Sequence, residues 1–256
     1  MIVYWLEQTE ADVPGENDWL SARELGQLSA LRFAKRRLDW QLGRWAAKHA
    51  LAVCLRLPFD YPSLANIELR PAPSGAPEVF LANEPAPVTV SISHRAGIAV
   101  CAVALSGGAL GCDLEAIEQR SDAFVQDYFT YEERGLLAQT PEDDRPLLLT
   151  LLWSAKESAL KALRVGLRVD TRCVIAAPVV APASQERDGK HNVQKKHANH
   201  GDFTAQHMDG VNAWRPLRVR HIYGPTFQGW WQHSRGLVRT MVADSPIGYV
   251  HMLIGS

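Results

Sequence analysis

The sequence predicts an α+β protein. Strand-like apolar segments occur at the start, in the middle and near the end of the 256 residues, while the helical patterns fall in two separate blocks. Strands and helices therefore do not alternate as they do in a regular βαβ series. The longest apolar run, residues 98–105, is far shorter than the roughly 20 residues that a membrane-spanning helix needs, and it suits a buried strand.

The N-terminal part predicts one strand followed by two helices. Residues 2–7 form the first strand, and Ser21 with Glu24 fits the capping box that begins many helices. A second helix is predicted over residues 38–55. Its inner side would carry Leu42, Trp45, Ala46, His49, Ala52 and Val53. A proline-rich connection then leads to a half-buried strand in which Val88, Val90 and Ile92 alternate with polar residues.

The C-terminal part predicts strands around a helical block. Ser106, Gly107 and Gly108 join two apolar strands, and the two glycines suggest that these strands form a hairpin. In the second of these strands Asp113 and Glu115 point to one face, because side chains alternate along a strand. Helices are expected over residues 121–137 and 146–163, the latter ending at Gly166, which suits a left-handed cap. Three late strands are predicted within residues 216–224, 236–243 and 248–254.

Residues 178–215 differ in composition from the rest of the chain. Large apolar residues are rare there, so we expect a mobile insertion. Four of the nine histidines fall in this segment: His191, His197, His200 and His207. They raise the alternative of a zinc site, which no cysteine or close carboxylate pattern supports.

Charge and cysteine content narrow the class of protein. A formal net charge of −1 gives no overall field that would favour nucleic acid or an anionic membrane. The four cysteines form no close-spaced metal pair, and the N-terminus lacks the pattern of a secretion signal. We therefore expect a cytoplasmic protein that binds neither nucleic acid nor membrane.

Three carboxylates form the candidate chemical site. Asp113 and Glu115 end an apolar strand, and Glu157 lies on a later helix; together they offer the hard oxygen ligands that Mg²⁺ prefers. Glu157 and Lys161 are four residues apart and share a helix face. The alternatives are solvated carboxylates and an ordinary surface ion pair, both of which are common.

Three ordered motifs resemble those of the Sfp-type 4'-phosphopantetheinyl transferases: SISHRAG from Ser91, GCDLE from Gly111 and WSAKESALKAL from Trp153. The segments LGRWAAKHAL and YFTYEERGLL are also similar to parts of that family. The resemblance covers most of the chain outside residues 178–215.

The resemblance implies a fold and a reaction. The fold would be a pseudo-two-fold pair of similar α+β subdomains, residues 1–105 and 106–256, with the active-site cleft between them. The enzyme, a holo-acyl-carrier-protein synthase, would move the phosphopantetheine arm of coenzyme A to a serine of an apo acyl or peptidyl carrier protein. It would require Mg²⁺ and release 3',5'-ADP. The carrier would serve fatty-acid, polyketide or nonribosomal peptide synthesis, and a monomer is expected.

The resemblance also assigns roles to residues. Asp113, Glu115 and Glu157 match the metal ligands, and Asp113, Glu157 and Lys161 are the catalytic candidates. Glu157 would accept the serine proton directly or through a bound water, and Lys161 would face the pyrophosphate. Glu133 matches an extra acidic residue whose role stays open. The candidate coenzyme contacts are Arg44, Lys48, Arg70, Ser93, His94, Lys156 and Lys161.

The chain departs from the family at two positions. Many relatives have Gly-Lys-Pro where this sequence has Gly75, Ala76 and Pro77, which removes one phosphate-facing lysine. Arg70 or Arg44 could supply the missing charge, because a guanidinium grips phosphate through two bonds. Trp40 stands where some relatives have a small hydroxyl residue.

Two other functions are alternatives to the transferase. One is a non-catalytic module of the same fold that binds a carrier protein or coenzyme A. The other is a Mg²⁺-dependent phosphohydrolase, for which the chain has no phosphate-cradling glycine-rich loop.

Overall fold

The computed structural model describes residues 1–105, 107–179 and 214–253 and confirms a mixed α+β architecture. The α-helices are α1 (Ala22–Ala30), α2 (Ala34–Leu55), α3 (Tyr61–Ala65), α4 (Asp122–Tyr128), α5 (Tyr131–Gln139) and α6 (Arg145–Ala162). The strands are β1 (Ile2–Thr9), β2 (Ile67–Pro71), β3 (Pro77–Leu81), β4 (Glu84–Pro85), β5 (Thr89–Arg95), β6 (Ile98–Ala104), β7 (Leu110–Ala116), β8 (Val174–Pro178), β9 (Arg215–His221), β10 (Thr226–Ser234), β11 (Leu237–Ala243) and β12 (Tyr249–Leu253).

The strands form two main sheets and one small sheet. The first main sheet has the order β12-β1-β6-β5, and the second has the order β7-β11-β10-β9-β8. The small sheet has the order β2-β3-β4. Strand β12 pairs in parallel with β1, so the end of the described chain completes the sheet that contains its beginning.

Apolar side chains fill three layers. One layer contains residues of both main sheets, including Trp5, Val100, Cys112 and Met241. Helix α2 covers the other side of the first sheet, and helix α6 covers the other side of the second. The two long helices therefore lie on opposite sides of the paired sheets.

Capping boxes explain where the shorter helices begin. Ser21 accepts a hydrogen bond from the backbone N–H of Glu24, whose side chain returns to the Ser21 backbone, as predicted. Thr130 and Glu133 form a second capping box at the start of α5. The helical structure predicted over residues 121–137 is present as two helices: α4 ends at Tyr128, and Thr130 caps α5, which starts at Tyr131.

The hairpin predicted on either side of residues 106–108 is wrong. Strand β6 pairs with β1 and β5, whereas β7 pairs with β11 in the other sheet. Gly107 and Gly108 have φ values of 70° and 94°, which lets the chain turn from one sheet into the other. The hairpin of this region instead joins β5 to β6 through Ala96 and Gly97, both at positive φ.

The predicted insertion lies between two strands that pair with each other. Pro178 ends β8 and Arg215 begins β9, and the two strands are antiparallel neighbours. Residues 180–213, with the four histidines of the zinc alternative, lie outside the described residues. Within the part of the chain that the structure describes, no helix has both the length and the apolarity to cross a membrane.

Two buried lysine–glutamate pairs anchor the long helices with the same pattern of partners. On α2, Lys48 Nζ lies 2.6 Å from Glu24 Oε2 and donates to the carbonyl oxygens of Trp19 and Leu64. Leu69 N in turn donates to the other oxygen of Glu24.

The pair on α6 repeats this arrangement. Lys156 Nζ lies 2.8 Å from Glu133 Oε2 and donates to the carbonyl oxygens of Thr171 and Val174. Ala176 N donates to the other oxygen of Glu133. In both networks, a lysine of a long helix and a capping-box glutamate meet in the core and bind backbone groups. On α6 all of these groups follow the helix, whereas on α2 Leu64 and Leu69 follow it and Trp19 precedes α1.

Gly111 allows α6 to pack directly on β7. A Cβ at this position would lie 1.9 Å from the carbonyl oxygen of Ser158 and 2.7 Å from the backbone nitrogen of Ala162. Both obstructing atoms belong to the helix backbone, so no side-chain rotation would relieve the contact. Glycine is therefore required here for the distance between helix and strand.

The substitution Gly111→Ala should destabilise the protein by about 3 kcal/mol or more, because the helix must move away from the strand. Urea unfolding followed by circular dichroism measures the loss. Gly26→Ala is the matched control: Gly26 lies in α1 with no atom within 4 Å of its Cβ position. That change should stabilise the protein by about 0.5–1 kcal/mol. Equal stability of the Gly111→Ala protein and the unchanged protein would contradict the packing argument.

Candidate active site

Strand β7 and helix α6 bring three carboxylates together. Asp113 and Glu115 lie on the face of β7 that looks toward α6, while Cys112 and Leu114 enter the apolar layer between the sheets. Glu157 projects from α6 toward the same point. One oxygen from each of Asp113, Glu115 and Glu157 lies within 4.8 Å of the others. The structure therefore brings the three predicted ligands into one cluster.

Asp113 is held by two donors on one of its oxygens. Ser93 Oγ donates to Oδ1 at 2.7 Å, and Lys161 Nζ approaches the same oxygen at 2.8 Å. Lys161 also donates to the carbonyl oxygen of Cys112 at 3.1 Å. Because the carboxylate is almost fully buried, these bonds fix its orientation and direct Oδ2 toward the cluster.

Glu115 has a neutral donor on one oxygen and two cations near the other. Trp153 Nε1 donates to Oε1 at 3.1 Å. Arg95 and Arg120 lie 3.7 and 3.6 Å from Oε2, and both also pair with the exposed Glu118. The indole N–H thus sets the direction of the carboxylate, and the arginines balance its charge from the outer side.

The donor set fits a divalent cation. Asp113 Oδ2 is a buried atom without a hydrogen bond, although buried carboxylate oxygens normally have a partner. Asp113, Glu115 and Glu157 each offer one hard oxygen atom to the cluster, which is the ligand chemistry of Mg²⁺.

The mutual repulsion of the cluster shows in its proton affinities. Burial, followed by the charges of Asp113 and Glu115, raises the pKa of Glu157 to about 7, against the pull of Lys161. Burial and the Asp113 charge also raise the pKa of Glu115. The pKa of Lys161 is raised as well: burial acts to lower it, but Asp113 and Glu157 favour the ammonium form more strongly. Three carboxylates thus share one close ammonium group, so the cluster carries an excess of negative charge.

Ser93 and His94 lie at the end of β5, beside the cluster. Ser93 is buried and bound to Asp113, whereas His94 is half-exposed, with Nε2 3.8 Å from a carboxylate oxygen of Asp39. Burial lowers the pKa of His94, and the Asp39 charge opposes this shift. The structure thus brings both predicted residues to the edge of the site and leaves the predicted phosphate contact of His94 a prediction.

Neither arginine proposed to compensate for Ala76 is free of an acidic partner. Arg44 Nε lies 3.7 Å from Glu24, and its guanidinium stacks on Trp40 at 4.8 Å. Arg70 binds Glu68 at 2.7 Å and Asn83 at 2.6 Å. Arg70 is therefore paired with Glu68, whereas Arg44 shares Glu24 with Lys48 and its Nε makes no hydrogen bond.

Lys48 and Lys156 require a correction, because we expected both to contact coenzyme A. Each is completely buried, and each ammonium group has three partners in the core networks described above. A buried lysine with its three donors in use has none left for a phosphate. The same contacts give Glu133, whose role was left open above, a structural role: it pairs with Lys156 in the core.

Sequence reasoning missed two neighbours of Glu115. Arg120 lies in the connection after β7. No sequence pattern distinguishes a single arginine there from an ordinary solvent-exposed arginine. The indole donor of Trp153 was foreseeable, since Trp153 precedes Glu157 by four residues and therefore shares its helix face.

Comparisons with known proteins agree with the resemblance that the motifs predict. Residues 109–207 match a family model described as the 4'-phosphopantetheinyl transferase superfamily. The match spans less than half of the chain but contains β7, α5 and α6, and hence the three carboxylates. It confirms the resemblance over this stretch. No curated protein matches the chain.

One similar solved structure is the crystal structure of Helicobacter pylori holo-(acyl-carrier-protein) synthase in complex with coenzyme A. The sequence identity is 19%, the alignment covers 40% of this chain and 96% of that chain, and the TM-score is 0.28. A likeness this distant carries no argument about the site.

Lys156→Met should test the structural role of this lysine. The change leaves Glu133 charged and buried without its cation, and it should cost about 3–5 kcal/mol of unfolding free energy. Adding Glu133→Gln should restore part of the loss, since the buried charge is then removed. Lys35→Met, which breaks an exposed pair with Asp39, is the control and should cost about 0.5 kcal/mol or less. Urea titrations of the three variants and the unchanged protein measure these values, and similar losses for Lys156→Met and Lys35→Met would refute the role.

Proposed function

We propose that this protein transfers the 4'-phosphopantetheine arm of coenzyme A to a serine of an apo acyl or peptidyl carrier protein and releases 3',5'-ADP. The observation that carries the proposal is the convergence of Asp113, Glu115, Glu157 and Lys161 from two of the three ordered motifs. The third motif contributes Ser93, which binds Asp113. The match of residues 109–207 to the transferase superfamily supports phosphopantetheinyl transfer as the general activity.

The proposed reaction forms one bond and breaks one. The carrier serine oxygen attacks the phosphorus that bears the pantetheine arm, and the bond from that phosphorus to the bridging oxygen of the pyrophosphate breaks. The bridging oxygen leaves with 3',5'-ADP, and the serine proton passes to a base. Catalysis of such transfers depends mainly on positioning the groups and balancing their charge.

Glu157 is the proposed base. It is a carboxylate of the cluster on the same helix face as Lys161, and it would take the serine proton directly or through a bound water. Lys161 is proposed to face the pyrophosphate of coenzyme A and to balance the charge that develops on the departing 3',5'-ADP. Its ammonium group lies one helical turn from Glu157 and is already held at Asp113. Mg²⁺ held by Asp113, Glu115 and Glu157 would supply further positive charge to the pyrophosphate oxygens.

We also propose two similar subdomains, residues 1–105 and 106–256, related by a pseudo-two-fold axis with the active-site cleft between them. The repeated lysine–glutamate networks of α2 and α6 support this relation. Strand β12 crosses the boundary to pair with β1, which ties the second subdomain to the first.

The transfer itself is tested by incubating the protein with coenzyme A, Mg²⁺ and a panel of apo carrier proteins. Intact mass spectrometry should show the addition of one phosphopantetheine group to a carrier serine. Removing divalent ions with a chelator should abolish the product, and adding Mg²⁺ should restore it. A carrier whose serine is replaced by alanine is the control. Turnover that survives chelation would contradict the metal requirement, and coenzyme A binding without transfer to any carrier would favour a non-catalytic module.

The role of Glu157 is tested with Glu157→Gln, which keeps the size of the side chain but removes its charge and basicity. We expect kcat to fall by at least about 10²-fold while the protein stays folded. Lys161→Ala should also slow the transfer, since the pyrophosphate charge is then less well balanced.

Glu132→Gln is the matched control, because Glu132 is an exposed carboxylate that pairs with Arg220 on the surface. It should leave kcat unchanged. A Glu157→Gln protein with more than about a tenth of normal kcat would refute the assignment. Melting temperatures of all variants separate loss of catalysis from loss of fold.

A further inference from the structure

A cavity of about 320 Å³ lies beside Lys161. Its walls come from the loop between β2 and β3, strand β5, the start of β7, and the end of α6 with the chain that follows it. Val90, Ile92 and Leu110 give it an apolar floor. Lys161, Arg164 and Arg168 supply the positive charges of its wall. An apolar cavity with a few convergent charged groups is the usual form of a small-molecule site.

The three cations differ in how far their charge is already balanced. Lys161 is bound to Asp113. Arg164 is half-exposed and only reaches Glu78 at 3.9 Å, a weak surface pair. Arg168 forms no ion pair with any carboxylate of the described residues. Arg168 therefore carries the least compensated charge at the cavity.

The chain direction after α6 places Arg168 there. Arg164 has φ of 58° and Gly166 has φ of 57°, so the chain reverses and forms a short 3-10 helix, Gly166–Arg168. This turn brings Arg168 Nη2 to 3.4 Å from the position that a Cβ on Gly75 would occupy. Gly75 itself has φ of 87°, in the loop that contains Ala76. The guanidinium of Arg168 thus lies against the loop at the residue preceding Ala76.

We propose that Arg168 binds a phosphate group of the nucleotide substrate in this cavity and supplies the charge that Ala76 cannot. The inference rests on the proposed function, since coenzyme A is the nucleotide concerned. Arg44 and Arg70, the earlier candidates for this role, already face Glu24 and Glu68. A guanidinium binds phosphate through two parallel hydrogen bonds, and such charge-assisted bonds are stronger than neutral ones.

Calorimetry tests the proposal with coenzyme A and 3',5'-ADP as probes. Arg168→Ala should weaken the binding of both ligands about tenfold, in line with the loss of one charge-assisted contact. Adding Ala76→Lys to the Arg168→Ala protein should restore most of the affinity, because it returns a cation to the neighbouring loop position. Arg172→Ala is the matched control: Arg172 is an exposed arginine bound to Asp170 outside the cavity, and its loss should leave both affinities unchanged.

The outcomes separate the two proposals. If the unchanged protein binds neither coenzyme A nor 3',5'-ADP, the proposed function is wrong and the role of Arg168 is overturned with it. If it binds both and Arg168→Ala binds them equally well, the proposed function stands and the role of Arg168 is overturned. Failure of Ala76→Lys to restore affinity in the Arg168→Ala protein would also overturn the claim that the two positions serve the same phosphate.

Discussion

The direct contact between α6 and β7 at Gly111 sets the geometry of the whole site. Asp113 lies two residues after Gly111 on the strand, and Glu157 and Lys161 flank Ser158, whose carbonyl oxygen meets Gly111. Lys161 Nζ lies 2.8 Å from Asp113 Oδ1 because the helix backbone approaches the strand this closely. Carboxylates crowded in this way repel one another, so packing energy from the surrounding core holds them together.

The core that supplies this packing energy also contains buried charged residues. Helix α6 carries Lys156, Glu157 and Lys161 within six residues, and Lys156 points away from the other two. Lys156 turns into the core and binds Glu133, whereas Glu157 and Lys161 share the face toward β7. A buried ion pair adds little net stability but penalises every arrangement in which its partners are separated. The Lys156–Glu133 pair therefore fixes the rotation of the helix about its axis, and with it the direction of Glu157.

The sequence allowed the local features and the cluster to be predicted, because both follow from short-range patterns. Capping boxes depend on residues three apart, strand alternation places Asp113 and Glu115 on one face, and helical periodicity places Glu157 over Lys161. Features that depend on distant contacts were not predictable. The burial of Lys48 and Lys156 requires carbonyl partners far along the chain, and α2 residue Val53, expected inside, is 45% exposed. The glycines at residues 107–108 predicted a turn correctly but could not reveal that it joins two sheets.

The comparison of α2 with α6 shows why, among the described residues, only the network on α6 lies beside a cluster of carboxylates. Trp45, Lys48 and His49 of α2 have the same spacing as Trp153, Lys156 and Glu157 of α6. In α2 the residue after the buried lysine is a histidine, and its Nδ1 lies 3.2 Å from the side-chain amide of Gln8 on β1. Burial lowers the pKa of His49, so the neutral ring and the neutral amide satisfy each other without any ion. In α6 the residue after the buried lysine is Glu157, which lies in one cluster with Asp113 and Glu115, and carboxylates cannot donate hydrogen bonds to one another. The residue that follows each buried lysine is thus what differs: it is a neutral histidine on α2 and a clustered carboxylate on α6. The buried lysine itself makes similar contacts in both networks.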